Sequence, residues 1–163
     1  MRKVGIIMGS DSDLPIIKKA TDMLKALDIP FEVHVYSAHR TPEEARSFAL
    51  SARENGFGAI IAVAGMAAHL AGAIAANTTL PVVGIPINSG KLSGIDALLS
   101  TVQMPAGFPV ATVALNGAKN AAWLAAQIVA LNDERVAALI RAEREGYKTA
   151  VESAAVELEE RYA

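Results

Sequence analysis

The 163-residue chain is 52% hydrophobic and 20% charged, enough apolar material for one sizeable core and too short for two comfortable domains. Its formal net charge is −2, and its basic residues are scattered without interleaved aromatics, which excludes the electrostatic footprint of a nucleic-acid binder. The absence of cysteine removes disulfide and thiolate chemistry, and no uninterrupted apolar run approaches the ~18 residues of a membrane span.

Met1-Arg2-Lys3 leads directly into an apolar strand and not into a signal-peptide core, so the expected location is the cytoplasm. Val4 to Met8 is an unbroken apolar run closed by Gly9-Ser10-Asp11-Ser12-Asp13, the pattern of a strand buried on both faces followed by a tight loop. Apolar residues then recur at helical spacing: Leu14, Ile17, Ala20, Met23, Leu24 and Leu27. Phe31 to Tyr36 alternates as a second strand and runs into the loop Ser37-Ala38-His39-Arg40-Thr41-Pro42. Thr41 as N-cap, Pro42 at the first helical position and Glu44 at the third predict a capping box opening a helix to about Glu54.

The unit then repeats. Ala59 to Val63 reads as a third strand, Gly65 to Gly72 as a glycine-bounded turn, and a short alanine helix follows to about Ala76. Pro81 to Ile85 is a fourth strand, Asn88 to Gly94 a polar loop, and Ile95 to Val102 a helix. Val110 to Leu115 is a fifth strand and Asn120 to Leu131 an alanine-rich helix. From Asp133 the chain is helical, but beyond Val136, Leu139 and Ile140 it has no continuous apolar stripe. That segment is expected outside the main body, against a neighbouring subunit or in solvent.

Five strands alternating with helices predict an α/β fold, a three-layer open parallel sheet of flavodoxin-like order with a C-terminal helical extension. One domain is expected over 1–163, with its core in 1–131 and the extension in 132–163. Right-handed crossovers place the loops 9–13, 37–42, 64–72, 86–94 and 115–119 at one edge of the sheet. Ligands of such sheets bind beyond the carboxyl ends of the strands. Close-packing alanine helices, with only 5% aromatic content, leave small apolar surface that often ends in a subunit interface, so a homo-oligomer is expected.

Three loops hold side chains suited to chemistry. The 9–13 loop opens a helix whose unpaired N–H groups favour phosphate, with Ser10 and Ser12 as hydroxyl donors and Asp13 as an acceptor for ribose hydroxyls. The plainer reading is that Ser12 or Asp13 simply caps the helix. In the second loop, Arg40 offers a fork of donors to an anion, and the imidazole of His39 can both give and accept a proton. The alternative is a surface loop with two solvated side chains. In the third, Gly65 and Gly72 bracket small residues and point to backbone N–H groups presented to an anionic or planar ligand, while His69 taken alone is more often structural. His34, in mid-strand, reads as structural or surface. Three dispersed histidines without cysteine make no metal site, and there is neither a Walker loop nor a GxSxG elbow.

Taken together, MGSDSD at 8–13, SAHRTP at 37–42, AGMAAHLAG at 64–72, PVVGIP at 81–86, SGIDALLSTVQMP at 93–105 and PVATVA at 109–114 resemble the class I branch of the PurE family. The resemblance covers residues 4 to about 131 in the family's order and spacing. It implies a mutase of purine biosynthesis that converts N5-carboxyaminoimidazole ribonucleotide to 4-carboxy-5-aminoimidazole ribonucleotide by decarboxylation and recarboxylation. His39 would be the catalytic acid and base. Ser10, Ser12, Asp13, Ser37 and Arg40 would bind the nucleotide, with Gly65, Met66, Ala67 and His69 bordering the base and its carboxylate. It also implies no metal, ATP or organic cofactor, and a homo-octamer. The chain departs from the family's usual Gly at Met66 and Pro at Ala71. Direct carboxylases of aminoimidazole ribonucleotide tend to carry Lys at the Arg40 position, which favours the mutase. The remaining alternative is a non-catalytic nucleotide-binding module. A receiver domain is disfavoured, since Val63-Ala64-Gly65 offers no acid where a phosphoacceptor would stand.

Overall fold

The computed structural model describes residues 1–163. Five parallel strands, β1 (Lys3–Met8), β2 (Phe31–Val35), β3 (Phe57–Gly65), β4 (Val82–Ile87) and β5 (Ala111–Thr112), lie in the order β2-β1-β3-β4-β5. Between and after them run α1 (Leu14–Ala26), α2 (Pro42–Ser51), α3 (Leu70–Ala75), α4 (Ile95–Val102), α5 (Ala118–Ala130) and α6 (Glu134–Tyr162). This is the doubly wound, flavodoxin-like arrangement that the alternation predicts.

Side chains of successive strand residues leave opposite faces of the sheet, and the two cores follow that period. Val4, Ile6 and Met8 of β1, with Ala59, Ile61 and Val63 of β3, pack against α1, α5 and the start of α6. Ile7, Ile60, Ala62 and Ala64 face the other way, against α2 and α3. Both faces are covered, which is why the strands read as continuous apolar runs. Each fully buried Ile or Leu among them contributes about 1.5–3 kcal/mol relative to an exposed position.

Val136 and Ile140 of α6 belong to the α1/α5 core, so packing runs past the expected boundary at residue 131. Asp133 caps α6 by accepting from the Val136 backbone N–H at 3.2 Å. From Arg141 onward almost every residue of this 29-residue helix is exposed or half-buried, as its missing apolar stripe leads one to expect. No helix is long and apolar enough to cross a membrane.

Strand β5 is shorter than the expected 110–115. Past Thr112 the chain keeps alongside β4 by single contacts, Val113 N–H to the Gly84 carbonyl at 3.1 Å and Asn116 N–H to that of Pro86 at 2.9 Å, without a regular ladder. Strand β3 is longer than expected and α3 begins at Leu70, which shrinks the third loop to residues 66–69.

The path β1 to β2, then back across β1 to β3, opens a crevice where the winding reverses. Met8 is in register with both Val35 and Val63, so β1 and β2 end level while β3 runs two residues farther, to Gly65. The backbone confirms it: Tyr36 N–H donates to the Met8 carbonyl at 3.0 Å, and Gly9 N–H to that of Val63 at 3.4 Å. The loops after all three strands therefore leave the sheet at the same edge.

Candidate active site

At that edge lies a cleft of about 300 Å³, near the lower end of ordinary ligand sites. Gly9, Ser10, Ser12 and Asp13 form one side, and Ser37, His39 and Arg40 another. Ala64, Gly65, Met66 and Ala68 come from the β3 end. Ser89 and Gly90, from the loop after β4, complete it. Loops separated by some eighty residues of chain thus share one cavity, which a parallel sheet with one-handed crossovers requires.

The first loop is a single turn of 3-10 helix, Asp11–Asp13, leading into α1. Its capping residue is Ser10, not Ser12 or Asp13: the Ser10 hydroxyl oxygen accepts from the Ser12 N–H at 3.3 Å and from the Ser12 hydroxyl at 3.0 Å. Asp13 makes no capping bond, because the 3-10 turn ahead of α1 supplies the geometry. Its carboxylate meets only the Ser12 hydroxyl, at 3.5 Å. Burial pushes the Asp13 carboxyl above its usual range, with the Ser12 bond opposing in part.

That shift carries a linkage consequence. A carboxyl whose folded pKa is raised costs stability when ionised; the cost is present above the raised value and vanishes below the unfolded one. An Asp13→Asn variant should therefore melt slightly above wild type at pH 7, with the gap closing as pH falls through the elevated Asp13 value towards 3.8. Its substrate KM should rise about tenfold, the scale of one lost hydrogen bond to a charged group. Differential scanning calorimetry and initial-rate assays check the two halves. A lowered melting point at pH 7 would refute the desolvation account.

The second loop is tied to itself. The Ser37 hydroxyl oxygen accepts from the backbone N–H groups of His39 at 3.3 Å and Arg40 at 3.2 Å. Thr41 is not the hub of a capping box. Its hydroxyl accepts from the Ser37 N–H at 2.8 Å and donates to the Ser37 carbonyl at 3.2 Å, closing the turn instead of reaching into α2. Backbone bonds thus spend the loop's own polar groups, and the His39 imidazole and Arg40 guanidinium stay exposed, with no hydrogen-bond or ion-pair partner in the chain. An unpaired guanidinium beside a hydroxyl-lined cavity is suited to an anion.

The third loop is arranged differently from expectation. Gly65 lines the cleft and admits a close approach, since a Cβ there would collide with the Ser89 side chain. Gly72 presents no N–H to a ligand; it is buried inside α3, where a Cβ would strike the His69 ring. His69 lies outside the cleft, its Nδ1 bonded to the Ser100 carbonyl of α4, in a separate hollow with Met104 and Phe108. The Ser100 hydroxyl also donates to the Ala68 carbonyl at 3.2 Å, so α4 pins this loop from behind. Ala67 is exposed and does not line the cavity. Met66 does, at φ +54°, a left-handed conformation that favours glycine.

His34 sits away from the cleft, stacked on Tyr36 with centroids 5.2 Å apart and its Nε2 3.2 Å from Glu32 Oε2. Lys3, bonded to Glu32 at 2.6 Å, holds that carboxyl below its ordinary range. These groups line a larger, open groove of about 670 Å³ beside α2. Its central charges already satisfy one another, which makes it the weaker candidate. No three His, Asp or Glu side chains converge in a way that could hold a metal ion.

Ser89 and Gly90 are the cleft residues that sequence reading did not single out. Only their place in the 86–94 loop pointed to them.

Residues 3–150 match the sequence model of the AIR carboxylase family. The N5-carboxyaminoimidazole ribonucleotide mutase of Pyrococcus horikoshii is 52% identical over 157 residues, 96% of this chain and 89% of that protein. The mutase of Thermotoga maritima is 48% identical over 160 residues, 98% and 94% of the two chains. The crystal structure of Treponema denticola PurE aligns with a TM-score of 0.86 at 28% identity, covering 97% of this chain and 99% of that one. With the family match spanning the sheet, every loop of the cleft and the first half of α6, the chain belongs to the AIR carboxylase family.

Proposed function

We propose that the cleft converts N5-carboxyaminoimidazole ribonucleotide to 4-carboxy-5-aminoimidazole ribonucleotide, with His39 carrying the proton between the two halves of the reaction. The chain is an isomerase of purine biosynthesis, a reading supported by mutases about half identical to it over most of both lengths. The observation that carries the residue assignment is the junction of an unpaired Arg40 and an unpaired His39 on one rigid turn, facing the hydroxyls of the 9–13 loop across a shared cavity.

Arg40, with Ser10, Ser12 and Ser37, holds the 5′-phosphate through charge-assisted bonds, and Asp13 accepts from a ribose hydroxyl. Protonated His39 then donates to N5 as the N5–carboxylate bond breaks, giving the amine and CO2. The electron-rich C4 attacks CO2, forming the new C–C bond. Neutral His39 removes the C4 proton, which restores the aromatic ring and the starting imidazolium. One proton is lent and one recovered, so the step needs no outside acid or oxidant. Gly65 and Met66 would border the base, where small volume keeps CO2 near C4 and supplies the advantage of proximity. Ala67 and His69 border the base only if that part of the site is completed by another subunit.

Assembly is part of the proposal. Leu92, Ile95, Leu99, Val102 and Phe108 around α4, and Val151, Leu158 and Tyr162 on α6, are large apolar side chains 45–78% exposed in the single chain. Exposed apolar surface of that extent marks interfaces. The exposed apolar surface supports an oligomer; the family resemblance further implies a homo-octamer working in the cytoplasm without metal, ATP or organic cofactor.

The test is an ultraviolet assay for carboxyaminoimidazole ribonucleotide, run on particles whose mass by light scattering corresponds to eight chains. Formation from the N5 isomer without added bicarbonate, ATP or metal supports the mutase. Activity only on aminoimidazole ribonucleotide plus bicarbonate would assign direct carboxylation instead.

A further inference from the structure

One wall of the cleft is set from a distance. Ser89 and Gly90 follow β4, and they are the only cleft residues from that loop. Ser89 packs so closely on Gly65 that a Cβ at 65 would overlap its hydroxyl. Its position therefore decides the width of the cavity at the β3 end. On the β3 side the pairing runs to Gly65 and Ile87 and stops short of Ser89; on the other side the β4–β5 ladder already stops at Gly84 and Thr112.

After the Val113 N–H bond to the Gly84 carbonyl, the contacts from this side to residues beyond Gly84 both come from Asn116. Its backbone N–H donates to the Pro86 carbonyl at 2.9 Å, and its side-chain Oδ1 accepts from the Asn88 N–H at 2.9 Å. A single residue thus grips the chain at alternate positions, 86 within β4 and 88 just past its end, and the second grip is on the residue immediately before Ser89. To do so it takes φ +56°, a left-handed conformation that asparagine tolerates better than most side chains. The residue is also anchored from the following side. Gly117 N–H donates to the Ala114 carbonyl at 2.9 Å and Ala118 N–H to that of Asn116 at 2.8 Å, fixing the turn into α5.

We propose that Asn116 is a positioning residue for the reaction: its side-chain carbonyl replaces the missing rung of the sheet, and by fixing Asn88 it sets Ser89 and Gly90 against Gly65 at the width the substrate requires. It touches neither substrate nor reacting atoms. Its effect reaches the site through one backbone amide. The kinetic part of this proposal rests on the mutase reading, whereas the structural part does not.

Two variants separate acceptor from backbone. Asn116→Asp keeps an oxygen acceptor and a residue that tolerates positive φ; Asn116→Gly keeps the backbone freedom and removes the acceptor. Both preserve the fold around α5, which melting temperatures within a few degrees of wild type would verify. Hydrogen exchange of the peptide containing residues 88–90 is read first, then KM and kcat on the N5-carboxylated nucleotide. In Asn116→Gly, exchange at these amides should speed up about tenfold and KM rise about tenfold, the effect of one hydrogen bond, with kcat within about twofold of wild type. Asn116→Asp should restore both to near wild-type values. Unchanged exchange in Asn116→Gly, or Asn116→Asp as loose as Asn116→Gly, would overturn the proposal. If the wild-type protein proves inactive as a mutase, the functional reading falls and the exchange measurement alone still decides the clamp.

Discussion

A His39→Asn variant should bind the substrate nucleotide within about threefold of wild type yet turn it over about a thousandfold more slowly, the middle of the range for removing a general acid–base group. The reasoning runs through the loop geometry. His39 is held by its backbone N–H on the Ser37 hydroxyl, and its imidazole bonds to nothing else in the chain. Substitution therefore leaves the turn, Arg40 and the 9–13 hydroxyls in place and removes only the proposed proton carrier. Asparagine keeps a polar side chain of similar reach but cannot take up or release a proton near neutral pH. Isothermal titration with the nucleotide, beside a stopped-flow or steady-state ultraviolet assay, measures the two quantities separately. Undiminished turnover would remove His39 from the chemistry. Binding lost together with turnover would make it an anchor.

An Arg40→Ala variant should behave in the complementary way. KM should rise about 100-fold with a smaller change in kcat, because one or two charge-assisted bonds to phosphate disappear, each worth about 1.5–3 kcal/mol. Arg40 has no carboxylate partner in the chain, so its removal unpairs no other charge and the fold should be unaffected. Arg40→Lys should lie between the two: it keeps the charge but not the planar fork. Inhibition by inorganic phosphate offers an independent reading, and should weaken in parallel with KM. If KM is unchanged in Arg40→Ala, the phosphate lies elsewhere in the cleft and the proposed substrate orientation is wrong.

How far the primary structure led can be seen element by element. Val4 to Met8 and Ala59 to Val63 were legible because parallel strands buried on both faces need unbroken apolar runs, and no other short element has that demand. The α1 stripe of Ile17, Ala20, Met23 and Leu24 was legible for the same kind of reason, the helical period meeting one core. Caps were less so. Thr41, Pro42 and Glu44 have the spacing of a capping box, but the Thr41 hydroxyl is drawn back to Ser37, a competing partner four residues away that only the turn brings near. Ser12 and Asp13 yielded the capping role to Ser10 because a 3-10 turn intervenes before α1.

The cleft divides along similar lines. Ser10, Asp13, His39 and Arg40 stood out because they are polar residues at the ends of apolar strands, where parallel sheets place ligands. Ser89, Gly90 and Asn116 carried no such signal beyond their place in the 86–94 and 115–119 loops, and the role of Asn116 depends on which carbonyl and N–H lie beside it. His69, like His39, is a histidine in a loop after a strand, though taken alone its apolar surroundings favour a structural role. Folding gives the two different fates: His39 has no partner and stays free, whereas α4 offers His69 the Ser100 carbonyl.

By itself, then, the amino-acid order settled the element types, the parallel α/β architecture and the edge of the sheet where the candidate cleft lies, because hydrophobic period and strand-end polarity are local to the chain. Tertiary structure alone decided which loops share a cavity, which histidine is spoken for and how wide the β3 end of the cleft is. Those outcomes turn on hydrogen bonds between residues dozens of positions apart, and partners at that range are chosen by packing, not by sequence spacing.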